Sequence, residues 1–349
     1  MKIEKNKNNI VDFVGDKVFD YLNKYVNTES NDTLIVHTTN LFNIINGNKK
    51  TKNIINLGKI NNIRFINKFF EGVNHKLVND DIFICCTETI QSRRKRQKIQ
   101  SIPILRNIFY FFEFLFLRVF PKLWGLKKVY FVITRGRRRL LSKAEVLGRL
   151  VSCGFEIVDY LTINGILYIV TKKIKDPEFN DRASYGPLYS MPRVGKGGKT
   201  IYVYKFRTMH PFAEYLQEYI VNKHGYSSTG KPKDDYRLTP WGKVFRKYWI
   251  DEAPQLINIL KFDLKIVGIR PVSKFYFDSL PEEIKKRRLK HKPGCIPPYV
   301  SLNRNSSVEE VIKAEVEYMI EKEKNKYSTD LKYFLKAIYN ILLKGKRSA

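Results

Sequence analysis

The sequence predicts an α/β protein in two parts, and three observations carry that prediction. Short β-branched runs alternate with helical spacing through the first half: Thr33 to Thr38, Ile82 to Cys86, Val129 to Thr134, Glu156 to Tyr160 and Ile166 to Thr171 read as strands. A polar stretch at 173–183 interrupts the apolar patterning and reads as a linker between a module at 1–172 and a domain at 184–349. The domain after it is mostly helical, with one strand pair ahead of the helices. A chain of 349 residues with 43% hydrophobic content has enough apolar surface for two cores and is not of disordered composition.

Taken in order, the first 30 residues are polar, with a short amphipathic helix around Ile10 to Tyr25. Residues 41–77 carry Ile60, Ile63, Ile66, Phe69, Phe70 and Val73 at helical spacing. Ser142 followed by Glu145 is a capping box, and Gly154 stops the helix it opens. The strand–helix–strand–strand ending resembles the tail of a methyltransferase-type Rossmann domain. The G-x-G-x-x-G turn expected after its first strand is absent, so the resemblance implies an incomplete, non-catalytic relative; an unrelated α/β module is the alternative.

Ile104 to Leu126, ILRNIFYFFEFLFLRVFPKLWGL, lies between RRKRQK at 93–98 and RGRRR at 135–139. The 17 residues before Pro121 make a helix of about 26 Å, short of a hydrocarbon core of about 30 Å, and Arg106, Glu113 and Arg118 interrupt it. The expectation is an interfacial helix at 104–120, with basic clusters meeting anionic headgroups; a helix packed on the module is the alternative.

The second half is organised around Arg237 to Pro271. Thr239 caps and Pro240 fits a first helical position, with Val244, Phe245 and Tyr248 on one face. Asp251 and Glu252 follow, beside the start of a second helix through Pro254, Leu256, Ile257 and Leu260, where unpaired N–H groups favour an anion. Gly195 to Thr200, GKGGKT, has Arg193 where a phosphate loop needs glycine, and reads as a turn joining two strands. Residues 210–236 read as a helix and then a polar loop, a lid or a plain insertion, while Pro281–Lys292, Val308–Lys324 and Thr329–Lys344 read as helices. The last is apolar through Leu331, Phe334, Leu335, Ile338 and Leu342, which suits packing on the domain or on a membrane.

KFRTM at 205–209, the R-L-T-x-x-G-x-x-x-R-K-x-x-x-D-E-x-P-Q-L-x-N-x-L-K run at 237–261 and V-G-x-R-P at 267–271 resemble the bacterial sugar transferase family, the monotopic phosphoglycosyl transferases. The resemblance implies that Asp251 is a nucleophile that takes a sugar-1-phosphate from a UDP-sugar and passes it to polyprenyl phosphate. It also implies that Asp251 and Glu252 hold Mg2+, and that Lys205, Arg207, Arg246, Arg270 and Pro271 bind substrate. Attack by a carboxylate on a diphosphate brings anions together, so cations beside the acid pair are what such chemistry requires. The place implied is the cytoplasmic face of the bacterial inner membrane, at the start of capsule, O-antigen or exopolysaccharide synthesis and beside polysaccharide-assembly proteins. The chain departs from the family pattern in lacking an apolar anchor directly before the domain, in Phe262 where glycine is usual, and in CIPPYVSLNR after Gly294. Changed loops leave a non-catalytic scaffold of an assembly complex as the alternative function.

The formal charge of +30 calls for anionic partners. Nucleic acid would rest on charge alone, since zinc-finger, RNP1 and basic-zipper patterns are missing, and no nucleic-acid partner is expected. Cys85, Cys86, Cys153 and Cys295 lack C-x-x-C spacing and read as reduced thiols, and the polar N-terminus gives no expectation of export.

Overall fold

Leu34 and Val36 turn to one face of a sheet while Ile35 turns to the other, and the same alternation runs through Ile54 and Ile55 and through Phe83 and Ile84. A strand apolar on both faces needs cover on both, and the first half of the chain supplies it. The computed structural model describes residues 7–46, 51–123, 125–178, 186–225 and 232–345. It separates into two compact units, Met1–Gly186 with Met209–Arg237, and Pro187–Thr208 with Leu238–Ala349. Part of the proposed linker, 179–183, and residues 226–231 of the polar loop lie outside the described residues.

The first unit is built on β1 (Thr33–Val36), β2 (Asn53–Lys59), β3 (Ile82–Thr87), β4 (Phe155–Ile163) and β5 (Ile166–Lys173), in the order β1-β2-β3-β5-β4. The first three are parallel, and β5 runs antiparallel between β3 and β4. Helices Ile66–Lys76 and Lys143–Ser152 cover one face, and Asp16–Asn23 the other. Ser142 caps Lys143–Ser152 by accepting from the Glu145 N–H at 3.1 Å, as its spacing predicts. Phe212, Leu216 and Ile220 of the 210–236 stretch are also buried in this unit, with a helix at Gln217–His224. Cys85, Cys86 and Cys153 are free, buried thiols.

Two expectations need correction, and two apolar stretches take a definite orientation. The helical spacing assigned across 41–77 hides β2, because a central strand covered on both faces shows no alternation, and buried Asn56 breaks its apolar run. Asn56 is satisfied by Thr38, donating to its carbonyl and accepting from its N–H, both at 3.1 Å. Val129 to Thr134 is helix Leu126–Thr134, not a strand; an unbroken apolar run fits both periods, and here Val129, Val132 and Ile133 share a face. The 104–120 stretch is helix Pro103–Phe114 continued by a wider turn at Leu115–Val119, and its polarity is inverted, with Glu113 and Arg118 each 6% exposed while Ile104 is 78% exposed. Helix Ser328–Leu343 buries Tyr333, Ala337 and Asn340 and packs Phe334 against its own domain, while Leu331, Leu335, Ile338 and Leu342 lie outside. No helix among the described residues is long and apolar enough to cross a membrane.

The second unit opens with the hairpin β6 (Leu188–Val194) and β7 (Thr200–Phe206). Gly197 and Gly198, at φ 67° and 80°, make its turn, so GKGGKT joins two strands as its sequence indicates. A parallel pair, β8 (Lys265–Val267) and β9 (Gly294–Ile296), and helices Val308–Lys324 and Ser328–Leu343 complete it.

Candidate active site

Thr239 accepts from the Gly242 N–H at 3.0 Å and opens helix Pro240–Lys247. A Cβ at Gly242 would stand 2.1 Å from the Thr208 carbonyl oxygen, so glycine lets this helix press on the end of KFRTM. Arg246 then donates from Nε to Thr208 Oγ1 at 3.0 Å. Trp249 takes a left-handed φ of 59° and turns the chain, which presents Ile250–Glu252 as a single 3-10 turn ahead of helix Gln255–Leu260. Buried Asn258 fastens that helix to β7, donating to the Tyr202 carbonyl at 2.7 Å and accepting from the Tyr204 N–H at 3.0 Å.

That attachment sets Glu252 against β7. Lys205 Nζ donates to Glu252 Oε1 at 2.6 Å, and Gln255 Nε2 donates to Oε2 at 3.0 Å. Asp251 is half-buried, and burial pushes its carboxyl above the ordinary aspartate range; Lys205 and Arg246 pull it down, Glu252 pushes it further up. The two neighbouring acids are thus unequal: Glu252 is held through both oxygens, while Asp251 lies among the charges of Lys205 and Arg246.

Met191, Arg193, Lys205, Glu252, Arg270 and Pro271 line a pocket of about 90 Å3 together with Cys295. Arg193 is lowered by its burial and then by the charge of Arg270, which marks two guanidiniums close together, as an anion site requires. Sequence reasoning missed Arg193. The signal is the alternation of the hairpin, in which Met191 pairs with Val203 and Tyr189 with Lys205, so that Arg193 shares their face. Asp251, Arg246 and Arg207 are not in the pocket lining; the Arg207 guanidinium sits over the Tyr189 ring at 5.0 Å.

Arg270 is held from behind. Buried Glu315 accepts from the Arg270 N–H at 2.7 Å and pairs with buried Arg288, whose Nη2 donates to the Arg270 carbonyl at 2.5 Å. A Cβ at Gly294 would stand 2.2 Å from the Gly268 N, so β9 meets the segment leading to Arg270 with no room for a side chain.

Among the described residues no group of three or more His, Cys, Asp or Glu side chains could hold a metal. Asp251 and Glu252 offer hard oxygen ligands only, which suits Mg2+ that keeps water and phosphate oxygens as its remaining ligands. Ile250, just ahead of the acid pair, and Leu256, Ile257 and Leu260 of the helix after it are exposed.

Phe262, where glycine is expected, follows helix Gln255–Leu260 at φ 59° and is 78% exposed. Left-handed backbone costs a non-glycine residue about 1 kcal/mol. Phe262→Gly is therefore expected to raise stability by about that amount, read as a higher midpoint in urea unfolding.

A family model described as bacterial sugar transferase matches residues 166–344, just over half of the 349-residue chain. The chain is 34% identical over 168 residues to a galactosyl transferase, CpsE, of Streptococcus agalactiae, covering 46% of this chain and 36% of that protein. It is 37% identical over 116 residues to the UDP-N-acetylgalactosamine-undecaprenyl-phosphate N-acetylgalactosaminephosphotransferase of Aeromonas hydrophila, covering 32% and 25%. It is 32% identical over 154 residues to the exopolysaccharide production protein ExoY of Sinorhizobium fredii, covering 43% and 66%. The chain thus spans between a quarter and two thirds of the length of these relatives. Because the family match begins in β5 and runs through every residue of the pocket to the last helix, the chain belongs to the bacterial sugar transferase family.

Proposed function

We propose that this protein is a phosphoglycosyl transferase that moves a sugar-1-phosphate from a UDP-sugar to polyprenyl phosphate and so begins a surface polysaccharide at the cytoplasmic face of the inner membrane. The observation that carries the reading is the placement of Asp251, half-buried and under the charges of Lys205 and Arg246, next in the chain to Glu252 of a pocket that Lys205, Arg193 and Arg270 also line. The name of the Aeromonas relative contains both a UDP-sugar and undecaprenyl phosphate, and that of the Sinorhizobium relative an exopolysaccharide.

In the proposed reaction the Asp251 carboxylate attacks the phosphorus that carries the sugar. The bond from that phosphorus to the bridging oxygen breaks, and UMP leaves with the oxygen and its electron pair. A phosphate oxygen of the polyprenyl acceptor then attacks the same phosphorus and releases the carboxylate, so no proton or outside reagent is consumed. Arg193, Lys205 and Arg270 neutralise the diphosphate oxygens and orient them, and Pro271 closes the pocket beside Arg270. Glu252, fixed by Lys205 and Gln255, would share Mg2+ with Asp251, and the ion supplies further neutralisation of the diphosphate when bound. The exposed Ile250, Leu256, Ile257 and Leu260 suit an acceptor that stays in a membrane. Arg207, over Tyr189, is assigned to the sugar or the nucleotide outside the pocket.

The test is UMP release from a UDP-sugar panel with polyprenyl phosphate and Mg2+; silence with every sugar would leave the scaffold role instead. A second measurement probes the charge at Asp251. Lys205 favours the ionised carboxylate, so Lys205→Met raises a carboxyl that burial already raises. The nucleophile is active only when ionised. The acid limb of the pH–rate profile is therefore expected to move to higher pH in Lys205→Met, and an unmoved limb removes Lys205 from that role.

A further inference from the structure

The first unit holds a cavity that the reaction at Asp251 does not use. It measures about 420 Å3 and is lined by Lys59, Arg93, Arg96, Arg138 and Arg139, with Glu88 as the one carboxylate among them. Small-molecule sites run from about 300 to 1,000 Å3, so the space suits a compact ligand. Three segments supply the cations: Lys59 ends β2, Arg93 and Arg96 belong to helix Ile90–Arg96, and Arg138 and Arg139 follow helix Leu126–Thr134. Glu88 comes directly after β3. The cavity thus lies beyond the carboxyl ends of two neighbouring parallel strands, the edge at which such sheets take ligands.

Its walls are fixed from within. Buried Asn61 donates to the Glu88 carbonyl at 2.8 Å and to the Arg139 carbonyl at 2.9 Å, and accepts from the Glu88 N–H at 2.8 Å. Asn62 accepts from the Arg138 N–H at 3.1 Å, which holds Arg138 at a left-handed φ of 53°. Left-handed backbone is unfavourable for any residue with a side chain, and strain enforced in this way clusters at ligand clamps. Arg96 pairs with Glu88 at 2.7 Å and Arg93 with Glu113 at 3.2 Å, whereas among the described residues Lys59 and Arg138 have no ion pair. Burial, and after it the charge of Arg149, push Arg139 down to about 10, so a bound anion would restore a charge that its surroundings disfavour.

The charge balance selects the ligand. The lining carries an excess of four positive charges, and of three once Glu113 on Arg93 is counted. A phosphodiester, with a single negative charge, leaves most of that excess unmatched. A phosphate monoester carries about −1.5 to −2 at neutral pH, so two of them match it. Asn62 and Gln97 complete the lining with amides, which suit hydroxyls, and among the described residues no ring lies there on which a nucleobase could stack. We propose that this cavity binds a small soluble ligand with two phosphate monoesters on a hydroxylated carbon frame, the chemistry of a sugar bisphosphate. Lys59 and Arg138, which have no other charge to satisfy, are its main anchors. The site lies within the first unit and does not depend on the reaction at Asp251.

The experiment is isothermal titration calorimetry of the full chain with fructose 1,6-bisphosphate, fructose 6-phosphate, inorganic phosphate and UDP at fixed ionic strength. Wild type is expected to bind the bisphosphate at least about tenfold more tightly than the 6-phosphate. Lys59→Gln with Arg138→Gln is expected to weaken that binding about a hundredfold, at about tenfold for each lost charge-assisted bond. Glu88→Gln removes the carboxylate and frees Arg96, and is expected to tighten binding about fivefold, a gain that a misfolded variant cannot produce. Arg193→Gln, which alters the pocket at Glu252, should leave the affinity unchanged. No bisphosphate binding by wild type, or wild-type affinity in the double variant, overturns the site, and so does a loss in Arg193→Gln instead. Equal affinity for the two fructose phosphates overturns the two-phosphate assignment. UDP binding tighter than the bisphosphate and lost in the double variant gives the cavity to a nucleotide. Phosphatidylglycerol vesicles that displace the bisphosphate at equal phosphate concentration make the occupant a lipid headgroup and overturn the soluble ligand. All of these outcomes are read without UMP release, so the site and the reaction proposed at Asp251 fail separately.

Discussion

Asp251→Asn should abolish UMP release while leaving the protein at least as stable as wild type. The loss is expected to exceed about 10^4-fold, since removal of a nucleophile leaves only the binding and orienting part of catalysis. The stability half of the expectation follows from the environment. Burial disfavours the ionised carboxyl and raises it above the ordinary range, so at neutral pH the folded state carries a charge it would hold more easily as a neutral group. An amide of the same shape removes that cost. Glu252→Gln makes the opposite pattern, because it deprives Lys205 of its 2.6 Å partner but leaves the attacking group in place. About a hundredfold slower turnover with some loss of stability is expected there, the scale on which a misplaced group costs rate. Intact-mass analysis after mixing with donor and no acceptor separates the two, with a phosphosugar adduct on wild type and Glu252→Gln and none on Asp251→Asn. An adduct that persists in Asp251→Asn removes the nucleophile assignment.

The acid pair and its nearest cation were legible because they lie in ordered motifs. Lys205, Arg270 and Pro271 sit with Glu252 around one pocket, as their place in KFRTM and GIRP suggests. Arg193 was hidden because its role depends on strand alternation across a hairpin, in which a residue is set beside Lys205 only by the register of Met191 with Val203. Strands β3, β4 and β5 announced themselves through β-branched runs, whereas β2 is interrupted by Asn56, a residue that makes sense only once its bonds to Thr38 are known. The helix at Leu126–Thr134 and the outward face of Ser328–Leu343 share one cause. Apolar spacing shows that a face is apolar, not what it meets, and in this chain several such faces point away from their own core.

The Glu315–Arg288 pair could not be read from sequence at all, being 45 and 18 residues from Arg270, yet the second large effect is expected there. Glu315→Leu alone strands the Arg288 guanidinium, 4% exposed, and is expected to cost about 3–5 kcal/mol, because a buried charge is left without its partner. Adding Arg288→Met removes that charge as well. The double variant should regain all but about 1–3 kcal/mol, the residue being the Arg270 N–H that now lacks an acceptor. Rate should behave differently. In the native protein Glu315 holds the Arg270 N–H and Arg288 holds its carbonyl, so both variants free the backbone that aims Arg270 at the pocket. Turnover is expected to stay about a hundredfold down in the double variant even as stability returns, since misplacement by about 1 Å is enough for that loss. Urea unfolding and UMP release on the same three proteins read the two quantities separately. Should the double variant turn over at the wild-type rate, the pair contributes to stability only, and Arg270 is positioned by the close meeting of Gly268 with Gly294 instead.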